Sequence, residues 1–163
     1  MTTLQPRQYE LVFEDRPDYL YAHITSDSID DRMVLSYVQE VIDECRKTGN
    51  QRVLIERDIP ATLSNSDTFF TGSELAKMGI GQIRLALVDN RPENSQHLGL
   101  AMLVIKNRGG RLQHFRTVED AEKWLIDPLA RPGTALGVQV PLGLIMFTEI
   151  LFGHFTVSFT DLI

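Results

Sequence analysis

The sequence predicts an α/β fold with a mixed, mostly parallel β-sheet. Strand-like and helix-like segments follow one another over residues 8–127 in the order β-β-α-β-α-β-α-β-α. The run at residues 82–88 is apolar almost throughout, as in a parallel strand buried on both faces. Only the first two strands are joined by a linker too short for a crossover helix, so only they should pair antiparallel.

The first two strands are predicted at residues 9–14 and 19–25, which are rich in β-formers and flank the turn-like linker Asp15-Arg16-Pro17-Asp18. Ser28-Ile-Asp-Asp31 resembles a capping box and predicts a helix that runs to about residue 47. One face of that helix should be buried, because its apolar residues recur at helical spacing: Val34, Val38, Val41, Ile42 and Cys45. Gly49 is the expected C-cap.

Residues 52–57 are predicted to form the central strand, followed by a polar loop over residues 60–67. The next helix should begin near Ser66 or Asp67 and end at Gly79, with its apolar surface supplied by Phe69, Phe70, Leu75 and Met78. In parallel sheets such a junction lies at the carboxyl edge, where open α/β folds usually bind ligands or partners. We therefore expect the working surface of the protein there.

The last elements follow the same alternation. After the strand at 82–88 come a loop (89–95), a helix that is apolar almost all round (96–107) and a short edge strand (112–115). Thr117 to Asp120 has the pattern of a second capping box, and Pro128 ends the helix that follows. Beyond it lies an apolar C-terminal extension, residues 128–163, in which charge almost vanishes.

Composition excludes several classes of function. The chain has 163 residues, a formal net charge of −6 and one cysteine. An acidic balance argues against nucleic acid as a partner, because such binding needs clustered Lys and Arg. A single cysteine allows no intramolecular disulfide and no cysteine-based zinc cluster. The first residues lack the apolar core of a signal peptide, so we expect a cytoplasmic protein.

Three stretches resemble a known family. They are Val53-Leu-Ile-Glu-Arg-Asp58, Ile83-Arg-Leu-Ala-Leu-Val-Asp89 and an ending with Phe115, Ala121, Trp124 and Leu125. Together with the element order, they resemble the SpoIIAA-like branch of the STAS (sulfate transporter and anti-sigma factor antagonist) superfamily over about residues 9–126. The resemblance implies a STAS/SpoIIAA-like fold and a non-enzymatic regulator that binds a protein partner. A lipid-carrier role is also suggested for this branch.

The best-understood STAS regulators are switched by phosphorylation of a serine at the N-terminus of the second helix. Here the corresponding loop reads Leu63-Ser-Asn-Ser-Asp-Thr68, which departs from the regulator motif because no glycine follows the serine. Ser64 and Ser66 are the candidates for phosphorylation or partner contact, since a helix N-terminus favours a phosphate. The simpler interpretation is that one of them is the N-cap of the helix.

A second candidate site is a strand-end crevice of mixed charge. Glu56, Arg57 and Asp58 end the central strand, and Asp89, Asn90 and Arg91 follow the next one. Paired carboxylates are the minimum for acid–base catalysis, but surface ion pairing is the more ordinary interpretation. No histidine shares metal-ligand spacing with another His or Cys, and neither a nucleophile elbow nor a Gly-rich phosphate loop is present. We therefore expect no catalytic residue, metal or cofactor.

Several functions remain open. The first is a protein-interaction module that acts through the loop and helix after the central strand. The second is a carrier of lipid or a small apolar ligand, held between the sheet and the apolar helices, and the third is an enzyme that uses the strand-end carboxylates. The extension packs on the domain or a second subunit, contacts a membrane or lipid, or has no evolved role. Glu149 and two glycines weaken a membrane span at 142–159.

Overall fold

The computed structural model describes residues 8–60 and 62–128 and has the predicted α/β architecture. Its five strands are β1 (Glu10–Arg16), β2 (Tyr19–Thr25), β3 (Arg52–Asp58), β4 (Arg84–Val88) and β5 (Arg111–Phe115). Its four α-helices are α1 (Asp31–Thr48), α2 (Asn65–Lys77), α3 (Ser95–Lys106) and α4 (Val118–Ile126). The predicted β-β-α-β-α-β-α-β-α order is confirmed.

The strands lie in the sheet in chain order, β1-β2-β3-β4-β5. β1 pairs antiparallel with β2, and the other neighbours pair in parallel. β3 is therefore the central strand and β5 an edge strand, as predicted. Because each parallel crossover returns through a helix, the loops after β3 and β4 lie at the same edge of the sheet.

Helices cover both faces of the sheet. α1, α2 and α3 lie on one face, over a core that includes Val53, Ile55 and Leu85. α4 lies on the other face, where Ala121 and Leu125 pack against Leu54, Ala86 and Phe115. Consecutive residues of β3 and β4 thus point into different cores, which explains why the run at 82–88 has no polar alternation.

The expected helix ends are largely confirmed. Gly49 caps α1 in the left-handed region with φ 77°, and Thr117 caps α4 by accepting a hydrogen bond from the amide of Asp120. The cap of α1 is a correction, since Asp30 rather than Ser28 accepts from the amide of Met33. A carboxylate at this position also interacts favourably with the helix dipole.

Two further expectations are wrong in detail. Asp15 and Arg16 belong to β1 rather than to the turn, because they pair with Leu20 and Tyr19. Residues 80–82 form a short 3-10 helix after Gly79, so β4 begins only at Arg84. α3, which is apolar almost all round in sequence, buries Met102, Val104 and Ile105.

The apolar surface of α2 is the largest correction. Phe69 and Phe70, predicted as part of that apolar surface, are 55% and 53% exposed. The buried residues of α2 are instead Thr68, Thr71, Gly72 and Leu75. The helix packs through small and threonine side chains because α3 approaches it closely, with Val104 against Gly72.

Among residues 8–60 and 62–128, no helix is both long and apolar enough to cross a membrane. The predictions made for the C-terminal extension fall on residues 128–163. All of these except Pro128 lie outside the described residues.

Candidate functional site

The residues of the predicted strand-end crevice lie together at the carboxyl edge of the sheet. Glu56 of β3 stands opposite Val88 of β4 in the parallel register. Arg57 and Asp58 therefore leave one strand beside Asp89, Asn90 and Arg91, which follow the other. Hydrogen bonds join Arg57 to Asp89 and Arg91 to Asp58 at this edge.

A buried ion pair lies at the centre of this edge. Nη1 of Arg57 donates to Oδ2 of Asp89, and both side chains are closed to solvent. Asn94 Nδ2 donates to the same Asp89 oxygen at 2.9 Å, and the amide of Arg91 donates to Asp89 Oδ1 at 2.9 Å. With each carboxylate oxygen accepting a hydrogen bond, the buried charge is well compensated.

A second ion pair lies at the surface above the first. Nη2 of Arg91 donates to Oδ1 of Asp58 at 2.6 Å, and the Asp58 side chain is more than half exposed. This hydrogen bond raises the pKa of Arg91 above its usual value. Exposed pairs of this kind contribute little to stability, so the surface pair is free to rearrange around a ligand.

The pairs border a polar crevice of about 280 Å³. Of the predicted residues, Arg57, Asp58, Asn90 and Arg91 line it, whereas Asp89 is buried behind it. Sequence reasoning missed His23 and Arg116, which also line it. His23 stands opposite Glu56 in the register of β2 and β3, and Arg116 directly follows β5. A search for polar residues at the ends of all the parallel strands, rather than of β3 and β4 alone, would have found both residues.

The carboxylates of this edge are already engaged. Besides the pairs of Asp89 and Asp58, Glu56 accepts a hydrogen bond from the Tyr21 hydroxyl. Burial raises the pKa of Tyr21 well above its usual range, and the hydrogen bond to Glu56 raises it further. Nearby, burial lowers the pKa of His114, whose Nε2 lies 3.2 Å from the carbonyl oxygen of Asp89. The arrangement ties the ends of β3 and β4 to each other and to the loops that follow them.

The two candidate serines lie at the start of α2. Ser64 is the N-cap, and its Oγ accepts from the amide of Asp67 at 3.2 Å, which confirms the simpler interpretation for this residue. Its hydroxyl also donates to Oδ2 of Asp67 at 2.7 Å and lies 2.9 Å from the Ser66 hydroxyl. Both serines are exposed, so both are open to a partner or a modifying enzyme.

One turn further along, α2 carries the two exposed phenylalanines. We call the exposed side chains of residues 64–67, Phe69 and Phe70 the docking surface. Phe69 contacts the guanidinium of Arg108, whose Cζ lies 5.5 Å from the ring centroid. Adjacent exposed aromatic rings beside polar side chains are typical of protein contact sites. The sequence predicted Ser64 and Ser66 as contact candidates here, but it did not predict that the two rings beside them are exposed.

An apolar cavity of about 90 Å³ lies beneath α2, between α1, α2, α3 and the sheet. Most of its wall is aliphatic, and the half-buried Leu63 of the loop after β3 forms part of it. Thr71 of α2 and His97 of α3 are polar residues in this wall. The space expected between the sheet and the apolar helices is therefore present, although it is small.

Within the described part of the chain, no group of three or more His, Cys, Asp or Glu side chains is arranged to hold a metal ion. Comparison with known proteins finds no family model that matches the chain and no curated protein that matches it.

Proposed function

We propose that this protein is a non-enzymatic, STAS-like regulatory module that binds a protein partner through the docking surface on α2. The observation that carries the proposal is the exposure of Phe69 and Phe70 at consecutive positions of the helix after the central strand. The antiparallel first strand, the chain-order sheet and the single helix on the second face are compatible with a STAS-like fold.

Two half-exposed phenylalanines leave a substantial apolar area in water, and a partner that covers them gains about 25 cal/mol for each Å² removed from solvent. Aromatic anchors of this kind supply much of the binding free energy of protein interfaces. The polar residues 64–67 form one side of the surface, where they would supply hydrogen bonds at the rim.

The partner we propose presents an apolar anchor flanked by basic side chains. The chain carries a net charge of −6 and Asp67 belongs to the docking surface, while Arg108 adds one positive charge at Phe69. Complementary charge speeds association and suppresses wrong partners. Binding should therefore weaken with salt, while the apolar contact sets the residence time.

Phosphorylation at Ser64 or Ser66 is proposed as the regulation of this surface. A phosphate there meets the positive end of the helix dipole but also the carboxylate of Asp67, so it changes the charge of the rim without removing the helix. Mass spectrometry of the protein from its native cells tests for this phosphorylation, and finding both serines always unmodified would contradict the proposed regulation. In a pull-down, the Ser64→Asp, Ser66→Asp double variant should bind differently from wild type.

Photo-crosslinking identifies the partner. A photoreactive phenylalanine analogue replaces Phe70 in the full chain, and in a matched sample it replaces Val12, which is 52% exposed on β1. We expect a protein adduct specific to position 70. The captured protein is then purified, and its affinity for wild type is compared with that for Phe69→Ser, Phe70→Ser. Equal adducts at both positions would contradict a dedicated docking surface.

A second candidate function, carriage of a lipid or small apolar ligand, is favoured by the cavity beneath α2. At about 90 Å³ the cavity is smaller than the ~150 Å³ engineered cavity that holds benzene, so it suits a small molecule and is too small for an acyl chain. Native mass spectrometry and organic extraction of the purified chain test it. A co-purifying small apolar molecule would favour the carrier, and an empty protein favours the interaction module.

A further inference from the structure

The polar crevice at the carboxyl edge of the sheet holds two charged side chains of opposite sign that enter no ion pair. Glu56 accepts a hydrogen bond from the neutral Tyr21 hydroxyl, but among residues 8–60 and 62–128 no cation pairs with it. The side chain of Arg116 makes neither a hydrogen bond nor an ion pair in the described part of the chain. The other two guanidinium groups that line the crevice are each bonded to an aspartate. One negative and one positive charge therefore remain for a ligand.

The two charges stand on opposite sides of the crevice. Glu56 pairs with Val88, which in turn pairs with Phe115, the residue before Arg116. Neighbouring strands lie about 4.8 Å apart, so the backbones of Glu56 and Phe115 are separated by about 10 Å. Leu54 and Val88 belong to the core beneath α4, and Glu56, two residues after Leu54, faces the same side. The crevice thus lies on the α4 face of the sheet, opposite the face covered by α2.

The charges of the wall restrict what the crevice can hold. A simple anion attracted by Arg116 would also face the carboxylates of Glu56 and Asp58. A simple cation attracted by Glu56 would face the guanidinium groups of Arg91 and Arg116. Like charges in one site disfavour binding, so each of these ligands meets repulsion as well as attraction. A ligand that carries both charges, with the positive end at Glu56, avoids this conflict.

The size of the crevice and its apolar residues restrict the ligand further. The volume of about 280 Å³ exceeds the ~150 Å³ of an engineered cavity that holds benzene and lies near the lower end of small-molecule sites, about 300 Å³. Val88 and Val118 are the aliphatic residues of the wall. The ligand is therefore a small molecule with a short apolar part.

We propose that the crevice binds a free α-amino acid with a small aliphatic side chain. Its ammonium group pairs with Glu56, its carboxylate with Arg116, and its side chain packs against Val88 and Val118. Two charge-assisted hydrogen bonds of about 2.8 Å let such a molecule bridge the two sides of the crevice. This inference goes beyond protein binding by the docking surface and does not depend on it.

The first test titrates L-valine into the full chain at constant ionic strength while the backbone amide resonances of Asn90 and Val118 are followed. Two analogues isolate the charges, since 3-methylbutanoate lacks the ammonium group and 2-methylpropylamine lacks the carboxylate. We expect saturable shifts with L-valine. Each analogue should bind at least about fivefold more weakly, because each loses one charge-assisted hydrogen bond.

Three variants assign the contacts. Glu56→Gln removes the negative charge and keeps an acceptor for the Tyr21 hydroxyl, and Arg116→Gln removes the positive charge. Each should weaken L-valine binding at least about fivefold, while Glu56→Gln leaves binding of 3-methylbutanoate no weaker than in wild type. Arg111→Gln is the matched control, because Arg111 is exposed at the opposite end of β5, and it should stay within about twofold of wild type.

The proposal is overturned if L-valine gives no saturable shifts in wild type, or binds no more tightly than either analogue. Equal binding of L-valine by wild type, Glu56→Gln and Arg116→Gln would overturn it as well, since binding would then depend on neither charge. The comparison of analogues uses wild type alone, so it stands even if a variant does not fold. None of these outcomes decides protein binding by the docking surface, which is tested by the adduct at position 70.

Discussion

The guanidinium of Arg57 and the carboxylate of Asp89 form a solvent-closed ion pair that joins the carboxyl ends of the two neighbouring strands β3 and β4. Asn94 binds the same carboxylate and, at 3.4 Å, the carbonyl of Ile59, so the loop after each strand is tied to the other. Because the start of α2 follows the first of these loops, the pair helps to fix where the docking surface stands.

Asp89→Asn should destabilise the fold by about 3 kcal/mol, because it removes the negative charge beside the buried Arg57. Urea unfolding measures the change. Asp58→Asn is the matched control, since it removes the exposed partner of Arg91 and should cost less than about 1 kcal/mol. Replacing both buried partners, as Arg57→Met with Asp89→Leu, should recover much of the loss. Equal effects of the two single variants would contradict the structural role of the buried pair.

Ser64→Ala should cost about 1 kcal/mol of unfolding free energy, because Ser64 caps α2. Ser66→Ala should stay within about 0.5 kcal/mol, since Ser66 lies inside the first turn and is exposed. Thermal or urea unfolding measures the loss of stability in each variant and shows which serine caps the helix. A larger loss for Ser66→Ala would show that the cap is wrongly assigned.

Two helical glycines should respond to alanine in opposite directions. A Cβ at Gly99 of α3 meets nothing within 4 Å, so Gly99→Ala should stabilise by about 0.5–1 kcal/mol through helix propensity. A Cβ at Gly72 of α2 would lie 2.9 Å from Cγ1 of Val104, and the resulting overpacking should cost about 1–3 kcal/mol. The denaturant midpoints of Gly99→Ala and Gly72→Ala measure the two changes in stability. Stabilisation by both substitutions would mean that α2 and α3 do not pack this closely.

Stability should fall as pH rises between about 9 and 11, in part because of Cys45. Burial raises the pKa of its thiol from 9.0 to about 11. The unfolded chain therefore loses this proton first as pH rises through that window, which favours unfolding. Urea titrations across the window should show a shallower decline for Cys45→Ala than for wild type. The comparison is needed because Tyr19 and Tyr21 also have raised pKa values. If stability declines equally steeply with pH in both proteins, the Cys45 thiol does not contribute to the decline and its proposed burial is contradicted.

The sequence was sufficient to predict the element order, the central position of β3 and the edge shared by Arg57 and Asp89. Those features follow from alternation, linker length and the geometry of parallel sheets. Element ends were less predictable. Asp30 rather than Ser28 caps α1, and β1 extends through Arg16, because side-chain capping and cross-strand pairing decide such ends locally.

The burial of α2 was not predictable from its composition. Hydrophobicity alone predicted Phe69 and Phe70 as part of the apolar surface of α2, whereas the close approach of Gly72 to Val104 turns the small side of the helix inward. His23 and Arg116 were missed for a different reason, since each joins the crevice from a strand that carries no other predicted site residue.

The central claim is that Phe69 and Phe70 hold a protein partner. Its most direct test is the dissociation constant of the purified protein captured at position 70, measured calorimetrically with three forms of the full chain. Loss of an aromatic hot spot should weaken binding by Phe69→Ser, Phe70→Ser at least about 30-fold, while Val12→Ser stays within about twofold of wild type. Binding by the double serine variant as tight as that of wild type would contradict the claim.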